Sequence, residues 1–551
     1  MQPLLTCPQA AALDRATQEG GRLDARGLME NAAAGMFQAL MARYSDCLRG
    51  RSGQPAVSLV GLCGGGNNGG DCLALLRQAL FAGLSAVVAL VPRQRSAVCQ
   101  ARLDEAIAAG LVWYQHDAPE ALAALSGAGL ILDGLCGTGF RPGREADAFW
   151  HHCHRFLLAH PERPVVAIDI PSGLAALPAG LVPAPGGANT ENGANAENGA
   201  DRPAWYRPLP AHVTLTVLPA KAELYFPGNR PLAGDIIGIP GVFPADSGRD
   251  SPIQRLQPDD LARLWRRPDP DAHKGSRGAL LVTAGSVGAS GAASLSSRAA
   301  AAAGAGTVTL LLRDELYPLL AGSLDNIMVR PLSSGPGRKA TARLLGPGLG
   351  RDSLAADLVA AAWQEGGPLV LDADALSQIG RLPARTTASR AAPGADVAAA
   401  TSQSVVQTVL TPHAGEYVRL LADCGLGPSD PAAALRQARY NPPDLLTALA
   451  TRCNAIIVLK NSLTWLAHPD GRLLVYEGRV PALACGGSGD VLAGLLAGLT
   501  AAGYDAWSAA ALAVLVHGET GRAMAARHGF IIPGQLLAPA ARCLYHGVWH
   551  D

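Results

Sequence analysis

Apolar runs of strand length alternate with amphipathic stretches along most of this chain. Helical spacing covers 9–20 and 28–44, and a short apolar run at 57–62 follows. That run leads straight into Gly64-Gly65-Gly66-Asn67-Asn68-Gly69-Gly70-Asp71, after which 73–81 again has helical spacing. Further strands are predicted at 87–91, 130–132, 164–168 and 213–217. A second series occupies 279–283, 342–345, 369–371, 405–410 and 456–459. It ends in a hairpin over 464–476, turned at Pro469-Asp470-Gly471, and a long helix from Val491. Strands and helices alternating at this spacing predict an α/β protein, with mostly parallel sheets covered on both faces.

The punctuation divides the chain. A first domain is expected over 1–244, a linker and domain entry over the proline-rich, charged 245–270, and a second domain over 271–551. Within the first, 183–208 is small, polar and nearly repetitive, and is read as a flexible insertion. The Ala/Arg/Ser/Thr-rich 383–404 is read as an irregular insertion. The apolar run 501–516, interrupted by Tyr504, Asp505 and Ser508, is read as one buried helix, too short to span a membrane.

Composition narrows the partners. At 551 residues the chain is too long for one core, and 45 basic against 45 acidic side chains give no field for nucleic acid or an anionic membrane. The 11 cysteines are scattered without a CxxC pair, which suits a reducing compartment, and a cytoplasmic location is expected. The opening residues carry Asp14 and no basic-then-apolar order, so a signal segment is not expected.

Candidate chemistry sits at the ends of the expected strands, where parallel sheets bind ligands. In the first domain Gly64–Asp71 has the strand-to-helix context of a phosphate cradle, although it is neither GxGxxG nor a Walker A sequence. Asp133-Gly134-Leu135-Cys136-Gly137-Thr138-Gly139-Phe140 and Asp169-Ile170-Pro171-Ser172-Gly173 fall on the same edge. Together they predict an oxygen-rich site for a hard cation or sugar hydroxyls. Cys72 reads as packing, and His151, His152 and His154 as a solvated helix edge without zinc spacing.

In the second domain, Gly486-Gly487-Ser488-Gly489 offers successive backbone N–H groups at a helix start, able to hold a phosphate. Asp490 is placed to take a proton from a hydroxyl held over them. Gly346-Pro347-Gly348-Leu349-Gly350, Leu371-Asp372-Ala373-Asp374-Ala375 and Thr411-Pro412-His413-Ala414-Gly415-Glu416 end neighbouring strands. His413 is a candidate for orienting a pyrophosphate or a carboxamide.

Two resemblances carry these motifs further. "GGGNNGGD", "DIPSG" and "LMENAA" at 28–33 resemble the NAD(P)H-hydrate epimerase domain, or YjeF N-terminal domain, over roughly 10–240. The resemblance implies a Rossmann-like α/β/α sandwich that interconverts the R and S forms of NADH or NADPH hydrated at nicotinamide C6. It implies potassium at Asn68, Asp133 and Ser172. It also implies contacts to the hydrated cofactor from Asn67, Asn68, Gly69, Gly70 and Asp71, from Gly137, Thr138, Gly139, Phe140, Arg141, Pro142 and Gly143, and from Asp169. Epimerisation at a hemiaminal carbon needs a proton shuttle, for which Asp169 is the candidate.

Over about 255–540, "HKGSRGALLVTAGS", "GPGLG", "LDADAL", "TPHAGE" and "GGSGDVLAGLLAGL" together resemble the ADP-dependent NAD(P)H-hydrate dehydratases, a ribokinase-like branch. This implies that Gly348 and His413 contact the hydrated cofactor. It places the nucleotide, ADP or in some branches ATP with Mg2+, on Lys460, Asn461, Ser462, Leu463, Thr464 and Gly489. Asp490 is then the catalytic base. This chain departs from the usual Lys-Gly-Ala-Gly-Thr at Lys460–Thr464, so Leu463 is expected to add bulk beside the nucleotide and to bear on the ADP-versus-ATP choice. The reading is a bifunctional repair enzyme, with hydrated NADH or NADPH as substrate and a homo-oligomeric assembly expected. A ribokinase-like kinase for a vitamin or other hydroxymethyl substrate fits the same glycine loop on chemistry alone.

Overall fold

The computed structural model describes residues 1–20, 24–50, 58–140, 148–174, 208–337, 339–383 and 406–549. Apart from Pro208 and Pro383, the two expected insertions lie outside the described residues, as do Arg141, Pro142 and Gly143. The chain divides into two compact units: Pro3–Ser251 with Arg439–Asn441, and Met1–Gln2 with Pro252–Ala438 and Pro442–Asp551.

The first unit is built on a wholly parallel sheet. Its strands lie in the order Val112–Gln115, Val87–Val91, Leu59–Cys63, Leu130–Gly134, Val165–Ile168, Val213–Val217 and Asp235–Ile239. The period-two alternation sorts its side chains onto two faces. Leu59 and Cys63 pack with Met36, Leu73 and Leu76 on one side, while Val60 and Leu62 pack with Phe149 and Trp150 on the other. Two strands went unpredicted, Val112–Gln115 and Asp235–Ile239. Both are edges with half-exposed or exposed residues, so neither shows the apolar run of a central strand.

The second unit orders Met328–Pro331, Thr307–Leu312, Ala279–Thr283, Ala342–Leu345, Leu369–Leu371, Thr408–Leu410 and Ile456–Leu459 in parallel. The predicted hairpin, Leu463–Ala467 and Leu473–Glu477, continues it antiparallel. The segment expected to be a linker is ordered in part. Ile253–Leu256 pairs parallel with Leu473–Glu477, and only Ile253 and Leu256 of its four residues are buried, too faint a pattern to read. Alanine-rich Ser290–Ala302 and glycine-bearing Ser488–Ala501 pack closely. A Cβ on Gly494 would come within 2.2 Å of the Ser296 carbonyl, and one on Gly498 within 2.4 Å of that of Ala300. The run expected as one helix over 501–516 is broken: one helix ends at Ala501, and Asp505 caps Ala506–His528 through the Ser508 N–H. Among the described residues no helix is long and apolar enough to cross a membrane.

Candidate active sites

Parallel strands put their C-terminal ends on one edge, and in the second unit that edge gathers the expected motifs. Asp372 follows Leu369–Leu371, Thr411 and His413 follow Thr408–Leu410, and Lys460 follows Ile456–Leu459. Asp372 is fully buried. Its Oδ1 accepts from Lys460 Nζ at 2.5 Å and from Thr411 Oγ1 at 2.7 Å. A Cβ on Gly489 would lie 3.4 Å from Lys460 Nζ, so the ammonium rests against the first turn of Ser488–Ala501. Backbone N–H groups and a lysine therefore meet where an anion would sit.

Asp490 lies in that first turn and makes no cap; the N-cap is Gly487, in the left-handed region at φ 93°. Burial and the Asp372 charge push the Asp490 carboxyl up to about 6, with Lys460 opposing them. A carboxyl so tuned is a competent base near neutrality. Gly486 is exposed, and nothing lies within 4 Å of where its Cβ would be, so the loop opens outward.

Several expectations shift in detail. His413 caps the helix Ala414–Asp423: its Nδ1 accepts from the Gly415 and Glu416 N–H groups at 3.0 and 3.3 Å, and its Nε2 lies 3.4 Å from Glu416 Oε1, on an exposed ring. Leu463 does not face outward from the changed loop. It is buried as the first residue of its strand, and the exposed residues of the changed loop are Asn461 and Ser462. Thr464 Oγ1 returns to the Asn461 carbonyl at 3.2 Å. Gly348 takes a positive φ of 59° against Ala289, whose carbonyl a Cβ would approach to 2.8 Å. His517 was missed. Buried beneath the loop, its Nε2 meets Ser488 Oγ at 3.1 Å, and burial pushes it down to about 4, so it is neutral there. A histidine inside the apolar run "ALAVLVHGE" was the available signal.

The first unit holds a cleft of about 880 Å³. Asn67, Asn68, Asp71, Gly137, Thr138, Gly139, Phe140 and Asp169 all line it. Gly69 and Gly70 do not: Asn67 already begins the helix, and both glycines turn into the protein. A Cβ on Gly69 would lie 1.9 Å from the Gly64 carbonyl oxygen, and one on Gly64 as close to that of Leu135. These glycines answer to their own neighbours and not to a phosphate. Cys72 is buried against Gly61 and Gly134, as packing requires.

Asp133 and Ser172 lie one layer beneath. Asp133 does not emerge at an edge; it is 0% exposed inside the strand Leu130–Gly134. Its oxygens accept from Ser172 Oγ at 2.5 Å, Ser172 N–H at 2.7 Å and Leu135 N–H at 3.3 Å, all neutral donors, while burial pushes the carboxyl up to about 6. Asn68 packs its amide against Gly137, with Nδ2 buried and unpartnered. One uncompensated buried carboxylate with a hydroxyl and an amide is a donor set that fits a potassium ion. Among the described residues no three His, Cys, Asp or Glu side chains group to hold a metal, and the three helix histidines form no such set.

Asp169 stands in the left-handed region at φ 66°, and its Oδ1 accepts from the Val217 N–H at 2.9 Å and from the Lys221 ammonium. Lys221 also escaped the sequence reading. Lysine is almost never fully buried unless paired, so one standing between apolar segments in "TLTVLPAKAELYF" was the clue.

Comparison with known proteins bears on both units. Residues 25–217 match the family described as YjeF-related protein N-terminus, and residues 280–541 match the family described as NAD(P)H-hydrate dehydratase. Three relatives carry the name bifunctional NAD(P)H-hydrate repair enzyme Nnr. That of Gloeobacter violaceus is 33% identical over 95% of this chain and 94% of its own. The Salinibacter ruber protein is 30% identical and the Moorella thermoacetica protein 29%, each over 96% of this chain and 93% of its own.

Proposed function

The chain belongs to the family of bifunctional NAD(P)H-hydrate repair enzymes, and we propose that its two sites divide one repair between them. The first-unit cleft interconverts the R and S forms of NADH and NADPH hydrated at C6. The second-unit site spends a nucleotide to dehydrate the S form. The observation that carries the reading is the Asp490 carboxyl, tuned to about 6 beside the Lys460–Asp372 pair at an outward-facing glycine turn.

Hydroxide leaves poorly and phosphate leaves well. Asp490 takes the proton of the C6 hydroxyl, and the Gly486–Gly489 N–H groups with Lys460 steady the phosphoryl group passing to that oxygen. Loss of phosphate, driven by the ring nitrogen, restores the dihydropyridine. Gly348 and His413 are assigned to the hydrated cofactor, and Lys460 with the exposed Asn461 and Ser462 to ADP or ATP. Mg2+, when bound, neutralises phosphate charge, and the lack of an acidic cluster among the described residues favours its arriving on the nucleotide.

In the cleft, Asp169 moves the proton that C6 epimerisation requires, with Asn67, Asp71 and the 137–140 turn around the ring. Potassium at Asn68, Asp133 and Ser172 would compensate the buried carboxylate and fix the loops on which those residues stand.

Incubation with mixed hydrated epimers, Mg2+ and either nucleotide tests this. Absorbance of the reduced nicotinamide should rise until both epimers are consumed. A stable phosphorylated product from a hydroxymethyl substrate, with hydrated NADH untouched, would establish the kinase chemistry instead. Because the base must be ionised, dehydration should fall as pH drops through about 6.

A further inference from the structure

The first-unit cleft is lined by two carboxyls in unlike settings, and a buried lysine is paired with one of them. Asp169 is the tied member. Its Oδ1 accepts from the Val217 N–H, from Thr216 Oγ1 at 3.4 Å and from the ammonium of Lys221, whose residue is 3% exposed and also donates to the Val217 carbonyl at 3.2 Å. It is held in a left-handed conformation, at φ 66°, that a non-glycine residue rarely adopts, strain that collects at working sites.

Asp71 is the untied member. It projects from the helix Asn67–Phe81 into the same cleft, and its carboxyl is governed by burial and by the charges of Asp169 and Asp14, with no hydrogen bond among the causes. Those influences push it well above the usual carboxylate range, and Lys221 alone draws it back. Other titratable groups stand around them among the described residues. Asp14 and Arg15 line the cleft from the helix Cys7–Glu19 and Arg95 from the turn after Val87–Val91, while Glu223 and the Cys7 thiol stand behind Lys221.

We propose that Lys221 is the positioning residue that divides the acid–base work: it pairs with Asp169 as the charged carboxylate and leaves Asp71 as the proton donor. The inference rests on the epimerase reading of this cleft. Asp71 gives its proton to the C6 hydroxyl, and the C6–O bond breaks as the ring-nitrogen lone pair forms the N1–C6 double bond, releasing water. Water returns to the opposite face of C6, forming the new C–O bond and yielding a proton to Asp169. That proton passes back to Asp71 through water in the cleft, so each turnover ends with the protons where they began.

The test is the pH profile of epimer exchange, kcat and KM separately, for the full chain and for Lys221→Met, Lys221→Arg and Asp71→Asn, with dehydration of the S form as the control for an intact chain. The full chain should lose exchange at high pH, where Asp71 gives up its proton. Lys221→Met should lower kcat by roughly 10²-fold with KM little changed. It should also move that basic limb to higher pH, because the charge that draws Asp71 down is gone. Lys221→Arg should return the limb to its original place and recover most of the rate. Asp71→Asn should abolish the limb together with the rate. A basic limb that stays put in Lys221→Met, or survives in Asp71→Asn, overturns the assignment. Failure of the unaltered chain to exchange epimers at any pH, with dehydration intact, would instead overturn the epimerase reading itself.

Discussion

Two glycine-rich turns, Gly64–Asp71 and Gly486–Asp490, look alike in sequence. Each follows an apolar segment, opens a helix and ends in an aspartate. Their glycines exist for different reasons. At the first, a methyl on Gly64 or Gly69 would strike backbone oxygens at 1.9 Å, so glycine is demanded by the packing of the turn on itself and on Leu135. At the second, Gly486 has empty space where a side chain would be and Gly489 has only the Lys460 amine, so glycine leaves room for something from outside. The first turn has that openness at Gly66, which lines the cleft of the first unit. In the first unit the ligand space lies between the turn, the 137–140 segment and the Asp169–Lys221 pair.

The largest expected effect falls on the second turn. Asp490→Asn should cut dehydration by roughly 10²–10⁴-fold and leave epimer exchange at its native rate, followed by the epimer ratio. Next come the glycines themselves. Gly69→Ala should destabilise the first unit by roughly 3 kcal/mol or more, since backbone must move to admit the methyl. Gly486→Ala should change stability by less than about 0.5 kcal/mol and yet weaken nucleotide binding roughly tenfold, or about 1.4 kcal/mol. Thermal unfolding and calorimetric titration read the two sides, and equal destabilisation by both substitutions would erase the distinction. The smallest effect belongs to the ion. Potassium should raise the melting temperature of the first unit by roughly 2–4 °C, more than sodium at equal ionic strength, and Asp133→Asn should remove the difference.

The sequence was most legible where burial is complete. Val87–Val91, Leu369–Leu371 and Ile456–Leu459 are continuous apolar runs, Val213–Val217, Ala279–Thr283 and Ala342–Leu345 are broken only by threonine or one arginine, and each is found as a strand with the bounds expected. It was least legible at edges, where half-exposed strands such as Val112–Gln115 and Ile253–Leu256 lose the pattern. Among the site residues, motif spacing brought out Asp490, Asp169, Asp133 and His413. It could not bring out Lys221, Asp372 as the partner of Lys460, or His517 under Ser488, because those pairings join residues 29 to 88 positions apart. Nor could composition tell a glycine kept for contact from one kept for space; that needs the neighbouring atoms.

Two independent sites serving one pool of substrate is the central claim, and mixing inactivated chains tests it most directly. Asp490→Asn and Asp169→Asn chains are each given mixed hydrated epimers, Mg2+ and nucleotide, and then combined. Asp490→Asn alone should equilibrate epimers without forming reduced nicotinamide. Asp169→Asn alone should consume the S form and then slow to the spontaneous rate of epimer exchange. The mixture should consume the whole pool at a rate near that of the unaltered chain. A mixture that stalls with the R form remaining, or an Asp490→Asn chain that still forms reduced nicotinamide, would contradict the account.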